Sequence, residues 1–248
     1  MPVTDGDENR RAELAAALAE VRERIAAAAR AAGRDPAGVR LLAVTKTRPA
    51  SDAALLTDLG MFDLAENREQ EGAGKAAELA GLRPNAQVRW HLVGRLQRNK
   101  ARSLARWAAE VQSVDSPRLA QALAHGVAAA RAAGERSGPL DVLVQASIDG
   151  DPARGGCPIA DLPALAEEIT RSGDLRLRGL MAVAPLEMDP GEAFEILAGA
   201  ADRLRREHPG ATELSAGMSA DLEQAVAHGS TCVRVGTALL GARGLASP

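Results

Sequence analysis

The chain has 248 residues, with 30 basic and 33 acidic side chains and a formal net charge of −3. This length suits one large domain, and the small negative charge argues against a surface for nucleic acid or anionic membranes. No stretch approaches the ~18 apolar residues of a membrane span, and the acidic N-terminus lacks an apolar signal core. Cys157 and Cys232 form no zinc-type spacing with histidines. We therefore expect a cytoplasmic protein without a metal site.

The first predicted element is an amphipathic helix over residues 12–32. Its apolar positions recur at intervals of four, three and four residues: Leu14, Leu18, Val21 and Ile25. Gly33 and Pro36 end the pattern. We expect one domain over 1–248, with 1–9 and 244–248 as loose termini.

Eight short apolar runs, interpreted as buried strands, follow this helix. They cover residues 41–45, 62–65, 88–93, 111–114, 140–147, 175–183, 212–215 and 232–236. Helical patterns separate them, for example over 67–80, 97–109, 117–133, 161–171, 190–206 and 219–228. Strand–helix alternation repeated eight times predicts parallel strands closed into a single (β/α)8 TIM barrel, with the additional helix at its N-terminus. A doubly wound open sheet is the structural alternative.

Lys46 stands at the end of the first of these strands, directly after the apolar run 41–44. In an α/β barrel the carboxyl ends of the strands carry the reacting groups. A lysine that is desolvated there has a lowered pKa and can attack a carbonyl as a free amine. The alternative is that Lys46 merely ends the strand and points to water.

The other strand ends also offer candidate residues. In chain order these are Glu66, Asn67, His91 with Gly94, Asp115, Ser147 and Met181. Asn67 could cap the helix that follows it, and Glu66 could pair with Lys46 or Arg234. His91 lies within its strand, so we interpret it as a core histidine whose hydrogen bonds are satisfied. The basic segment 94–100 has no chemical role that its spacing reveals.

Two small turns after the seventh and eighth strands suggest a phosphate site. Ser219 follows the turn 215–218 at the position of a helix N-cap, and Gly236-Thr237 opens another helix. Backbone N–H groups at helix starts bind phosphate, and a phosphate site after strands seven and eight recurs in barrels of this type. The alternative is that Ser219 and Thr237 only cap helices.

Arg234 lies within the eighth strand, between two valines. By strand alternation its side chain points to the face opposite those valines. An arginine inside a barrel needs a partner, because an unpaired buried charge is costly. The sequence leaves a structural salt bridge and a ligand contact equally open.

Seven segments in chain order resemble one family, the pyridoxal phosphate homeostasis proteins. They are LLAVTKTRP, AENREQEGAGKAAEL, RWHLVGRLQRNK, VQSVDS, GLMAVAP, LSAGMSADLEQAVAHGST and VRVGTALLGAR. The resemblance runs from about residue 10 to residue 243. Members are single-domain barrels that bind pyridoxal 5′-phosphate (PLP) and are similar to the N-terminal domain of alanine racemase. The sequence departs from the usual pattern at Ala65, Arg95 and Ala216, none of which is an implied PLP contact.

The resemblance implies a set of cofactor contacts. Lys46 carries PLP covalently as a Schiff base, Arg234 faces the pyridine nitrogen, and Asn67 lines the pocket. The residues implied to hold the phosphate are Ser219, Gly236 and Thr237.

The resemblance and the composition together favour a carrier over an enzyme. An arginine facing the ring nitrogen disfavours its protonation, which weakens the electron sink of PLP chemistry. Racemases of this barrel type use a tyrosine from a second domain, and this chain contains no tyrosine. We expect a monomeric carrier and buffer of PLP with little or no catalysis, whose partners are PLP and possible recipient PLP-dependent apoenzymes. The alternatives are a PLP-dependent racemase or related enzyme, and a Schiff-base aldolase that needs no cofactor.

Overall fold

The computed structural model describes residues 5–151 and 154–241, and its parallel strands confirm the predicted barrel. The strands are β1 (Arg40–Val44), β2 (Asp63–Glu66), β3 (Arg89–Leu92), β4 (Glu110–Val114), β5 (Leu140–Ser147), β6 (Cys157–Pro158), β7 (Leu175–Met181), β8 (Glu213–Ser215) and β9 (Cys232–Val235). Eight of them close into a ring in the order β1, β2, β3, β4, β5, β7, β8, β9, with β9 paired to β1. The short strand β6 pairs with the end of β5 and lies outside this ring. A closed ring excludes the open sheet.

The helices are α1 (Asp5–Ala31), α2 (Ala50–Asp58), α3 (Glu69–Leu82), α4 (Ala101–Leu104), α5 (Pro117–Ala132), α6 (Leu162–Arg171), α7 (Pro190–Glu207), α8 (Leu222–Ala227) and α9 (Thr237–Leu240). The predicted helix over 97–109 is confirmed only in its first half, where a 3-10 turn (Arg98–Lys100) and α4 form, and it is wrong for residues 105–109. Arg136 donates to the carbonyls of Ala105 and Ala108, which stabilises the non-helical chain after α4. Within the described residues, no helix combines the length and apolarity needed to cross a membrane.

Helix α1 begins at Asp5, earlier than the predicted start at residue 12. Residues 5–9, which we predicted as part of a loose terminus, are therefore helical. They contain no apolar residue, so hydrophobic periodicity could not detect them. The predicted apolar stripe is buried in full: Leu14, Leu18, Val21 and Ile25. The predicted tail 244–248 lies outside the described residues.

Strand alternation separates the inside of the barrel from its helix-covered face. Leu42 and Val44 pack in the small interior cluster with Ala65 and Cys232. Neighbouring residues of β1, including Ala43, pack outward against the helices. We call the carboxyl ends of the barrel strands the mouth.

A buried charged cluster closes the opposite, amino-terminal end of the barrel. Arg40 donates to Asp63 at 3.2 Å, to Glu110 at 3.3 Å and to Glu213 at 2.7 Å. His91 is fully buried, with one ring nitrogen 2.9 Å from Glu110 and the other 2.8 Å from Asp63. The interpretation of His91 as a satisfied core histidine is confirmed.

The pKa of Glu110 is lowered to about 2 in this cluster. Burial by itself would raise the pKa, since it disfavours the charged form. The hydrogen bond with His91 and the charge of Arg40 act in the opposite direction and outweigh burial. Glu110 is therefore a buried carboxylate that remains ionised.

Candidate functional site

Lys46 lies at the mouth, in the turn that follows β1. The amide N–H of Arg48 donates to the carbonyl of Thr45 at 3.1 Å, which closes a β-turn with Lys46 as its second residue. The side chain of Lys46 is exposed, which differs from the desolvated amine considered from the sequence. Lys46 therefore offers an exposed amine just beyond the carboxyl end of β1.

The third residue of the turn, Thr47, has an unusual backbone conformation. Its φ is +63°, and within the described part of the chain it is the one non-glycine residue with a positive φ. Turns of this kind normally place glycine there, and a β-branched residue costs about 1–3 kcal/mol. Glu71 of α3 accepts the amide N–H of Thr47 at 2.6 Å, so a side-chain contact stabilises the strained residue.

A buried ion pair lies behind the turn, between the barrel and α3. Lys75 donates to the carboxylate of Glu66 and to the carbonyl of Thr45, the latter at 2.7 Å. The hydroxyl of Thr45 also donates to Glu66, at 2.6 Å. Burial raises the pKa of Glu66, while these hydrogen bonds oppose the shift. The expectation that Glu66 pairs with Lys46 or Arg234 is wrong, because alternation along β2 turns Glu66 outward to α3.

Asn67 follows β2, and its backbone packs closely against Gly94. A Cβ atom at Gly94 would lie 2.2 Å from the carbonyl oxygen of Asn67, so this close approach requires glycine. The carbonyl of Gly94 in turn accepts a hydrogen bond from Ser113 at 2.7 Å. Asn67 does not cap α3, since that helix is preceded by Arg68 and has no side-chain cap. Asn67 therefore lies at the mouth and is not used as a helix cap.

The two predicted phosphate turns are in contact. The amide N–H of Ala238, in α9, donates to the hydroxyl of Ser219 at 3.3 Å. Arg24 of α1 donates to the carbonyl of Ser219 at 3.0 Å. Ser219 is not the N-cap of α8 as predicted, because that helix begins later and Asp221 precedes it. Its hydroxyl faces the start of α9 instead.

Gly236 connects these turns to the end of β1. A Cβ atom there would lie 3.2 Å from the carbonyl oxygen of Val44, two residues before Lys46. Helix α9 begins at Thr237, as predicted, and Thr237 is exposed. Gly236 rather than Thr237 occupies the N-cap position of this helix. The exposed backbone at the start of α9 thus lies at the mouth, beside the strand that carries Lys46.

Arg234 points into the barrel and is buried. It donates to the hydroxyl of Ser215 at 2.8 Å and to the carbonyl of Ala182 at 2.7 Å, just beyond β7. Both acceptors are neutral, and burial lowers the pKa of Arg234. Of the two alternatives left by the sequence, the described residues provide no salt bridge for Arg234. Its guanidinium group remains a cationic donor at the mouth.

A hydrogen-bonded column that sequence reasoning missed joins Arg234 to the charged cluster. Ser215 donates to Gln112 at 2.7 Å, and Gln112 donates to Glu110 at 2.7 Å. The signal in the sequence was the pair of polar residues, Gln112 and Ser113, inside the apolar run 111–114. The column positions the Arg234 guanidinium through uncharged groups.

Lysine is scarce in this chain, which sharpens the assignment of Lys46. The sequence contains three lysines, Lys46, Lys75 and Lys100. Lys75 is buried in its ion pair, and Lys100 is half-buried in the 3-10 turn between β3 and α4. Lys46 alone among these three combines exposure with a position at the end of β1.

The groups gathered at the mouth fit an aldehyde that carries a phosphate. Lys46 offers an exposed amine, and Ser219 and Thr237 offer hydroxyls beside the backbone at the start of α9. Arg234 adds a buried guanidinium group with neutral partners. Amines, hydroxyls, amides and guanidinium groups all suit an anionic, carbonyl-bearing ligand.

The chain is similar to proteins of one kind in sequence and in fold. A family model described as alanine racemase, N-terminal domain, matches residues 17–244. The pyridoxal phosphate homeostasis protein of Mycobacterium tuberculosis (strain H37Rv) is 51% identical over 249 residues, covering 97% of this chain and 96% of that protein.

Two solved structures extend the comparison. PipY of Synechococcus elongatus, with PLP bound, is 34% identical with a TM-score of 0.76 and covers 92% of this chain and 100% of its own. An unknown protein from Bifidobacterium adolescentis is 32% identical with a TM-score of 0.85 and covers 96% of this chain and 97% of its own.

These matches span nearly the whole chain and confirm the resemblance carried by the seven segments. They agree with the closed barrel. The chain therefore belongs to the pyridoxal phosphate homeostasis protein family, within the wider alanine racemase N-terminal domain family.

Proposed function

We propose that this chain is a single-domain, monomeric carrier and buffer of PLP in the cytoplasm, with little or no catalysis of its own. Lys46 holds the cofactor through a Schiff base, and PLP-dependent apoenzymes receive it. The observation that carries the proposal is the exposed Lys46 amine at a mouth lined with anion-binding groups. PipY, a relative at 34% identity, has a structure with PLP bound.

Each residue has a distinct part in this proposal. PLP supplies an aldehyde, which condenses reversibly with an amine and releases one water. Lys46 provides that amine, and Asn67 lines the pocket. Ser219 and Thr237, with the backbone of Gly236 and of the α9 start, bind the phosphate and orient the ligand.

Arg234 accounts for weak catalysis in this proposal. A cationic guanidinium group facing the ring nitrogen opposes its protonation, because like charges repel. The hydrogen bonds of Arg234 to Ser215 and Ala182 hold it in a fixed orientation. The chain also has no tyrosine to act as the opposing base of a racemase. A reversible carrier needs neither an electron sink nor a second base.

The double variant Ser219→Ala with Thr237→Val is expected to weaken PLP binding by about tenfold or more. A hydrogen bond to a charged group contributes about 1.5–3 kcal/mol, and about 1.4 kcal/mol corresponds to tenfold in affinity. Pyridoxal, which lacks the phosphate, should bind the variant within about twofold of its affinity for the unmodified chain. Titrations of both ligands, followed by absorbance, measure the two dissociation constants.

A matched control for this variant is Ser137→Ala with Thr212→Val. Both residues are exposed and precede strands, so they lie at the amino-terminal end of the barrel. The control should bind both ligands normally. Equal losses for PLP and pyridoxal in the Ser219/Thr237 variant would rule out a phosphate role for these residues.

A further inference from the structure

The turn that carries Lys46 is held on both sides by one helix. The carbonyl of Thr45, before Lys46, accepts a hydrogen bond from Lys75 at 2.7 Å. The amide N–H of Thr47, after Lys46, donates to Glu71 at 2.6 Å. Glu71 and Lys75 are themselves 3.3 Å apart, one helical turn apart on α3. Helix α3 therefore fixes both backbone groups that flank Lys46.

Glu71 selects the conformation of this turn. The φ of Thr47 is +63°, a left-handed value that a β-branched residue rarely adopts. Without the contact to Glu71, Thr47 would relax toward a negative φ and rotate the peptide group that follows Lys46. Because a turn sets the direction of its side chains, this rotation would change the direction in which the Lys46 amine points.

Lys75 holds the turn through its ammonium group and does not act as a nucleophile. An ammonium group has three N–H donors, and those of Lys75 have three acceptors, namely the Thr45 carbonyl, Glu66 and Glu71. Lys75 is 6% exposed and Glu66 is fully buried. A lysine saturated in this way is not available as a nucleophile, but it holds the Thr45 carbonyl rigidly.

We propose that Glu71 and Lys75, together called the α3 clamp, are positioning residues that set the reach of Lys46 toward an aldehyde at the mouth. This inference rests on the proposed function and adds residues to it that touch neither the cofactor nor the reacting amine. The clamp acts on the amine rather than on the phosphate site. Its loss should therefore slow covalent capture equally for ligands with and without a phosphate.

Glu71→Ala tests the clamp, because Glu71 is partly exposed on the helix and its replacement leaves no buried charge unpaired. The rate of adduct formation at Lys46 should fall about tenfold or more, and by the same factor for PLP and pyridoxal, since small misplacements of a reacting group are costly. Glu71→Gln, whose amide oxygen still accepts the Thr47 N–H, should stay within about threefold of the unmodified chain. Glu78→Ala, exposed on the same helix, is the matched control.

Amide hydrogen exchange at Thr47 gives a second readout that needs no PLP. Exchange should become about tenfold or more faster in Glu71→Ala and remain unchanged in Glu78→Ala. Faster exchange with unchanged capture rates would overturn the positioning role, as would a loss confined to PLP. If the unmodified chain forms no adduct at Lys46, the proposed function itself fails. If Glu71→Ala forms the adduct at the normal rate, the positioning role of the α3 clamp is wrong and the proposed function is unaffected.

Discussion

Replacing Lys46 with alanine is expected to abolish the near-visible absorption band that forms when PLP is added to the protein. The other two lysines cannot replace it, because Lys75 is buried and saturated and Lys100 lies on another loop. PLP should still bind through its phosphate, at least about tenfold more weakly, since the covalent bond no longer contributes. A titration followed by absorbance and by equilibrium dialysis separates the covalent and non-covalent contributions.

The same variant should fold normally. Lys46 is exposed, and substitutions at exposed positions usually change the free energy of unfolding by less than about 0.5 kcal/mol. Lys100→Ala is the matched control and should keep both the band and the affinity. A Lys46→Ala protein that still develops the full band would show that another amine carries the aldehyde.

Glu110→Gln is expected to cause the largest loss of stability, about 3 kcal/mol. The pKa of Glu110 is about 2 against an ordinary 4.5, and one pKa unit corresponds to about 1.4 kcal/mol. The variant leaves Arg40 with one charged partner fewer and breaks the pairing of His91. The melting temperature should fall by roughly 6–12 °C, since about 1 kcal/mol shifts it by about 2–4 °C at this length.

The acid dependence of stability gives the sign of the Glu110 contribution. A carboxylate whose pKa is lowered by folding stabilises the protein fully above about pH 4.5 and loses this contribution as the pH falls toward 2. Urea unfolding between pH 7 and pH 3 should therefore show a steeper acid loss in the unmodified chain than in Glu110→Gln. Glu135→Gln, which breaks an exposed pair with Arg106, should cost less than about 1 kcal/mol. If Glu110→Gln and Glu135→Gln lowered the free energy of unfolding equally, the stabilising role of the buried network around Glu110 would be contradicted.

The barrel could be predicted because its signals are local. Each strand is a short apolar run, and the alternation with helices repeats along the chain. The errors fall where distant residues decide the structure. The chain after α4 leaves the predicted helix because Arg136, from beyond α5, binds the carbonyls of Ala105 and Ala108. The first residues of α1 have no apolar face to reveal them.

The predictions for the site divide in the same way, into local features that the sequence reveals and long-range contacts that it does not. The positions of Lys46 and Thr237 follow from strand ends and helix starts, which sequence patterns can place. The partners of these residues depend on which side chains tertiary packing brings together. Ser215 and Gln112 are 103 positions apart, and Glu71 reaches Thr47 from the next helix but one in the chain. The expected contact of Glu66 with Lys46 failed because Glu66 faces α3, where Lys75 binds its carboxylate.

The most direct test of the central claim is to locate the covalent adduct. PLP-loaded protein is reduced with borohydride, digested and analysed by mass spectrometry, and the search covers the three lysines and the N-terminal amine. The proposed function predicts one modified peptide, with the added pyridoxyl mass at Lys46. An intact, folded protein whose adduct lies at Lys100 or at the N-terminus, with Lys46 unmodified, would contradict it.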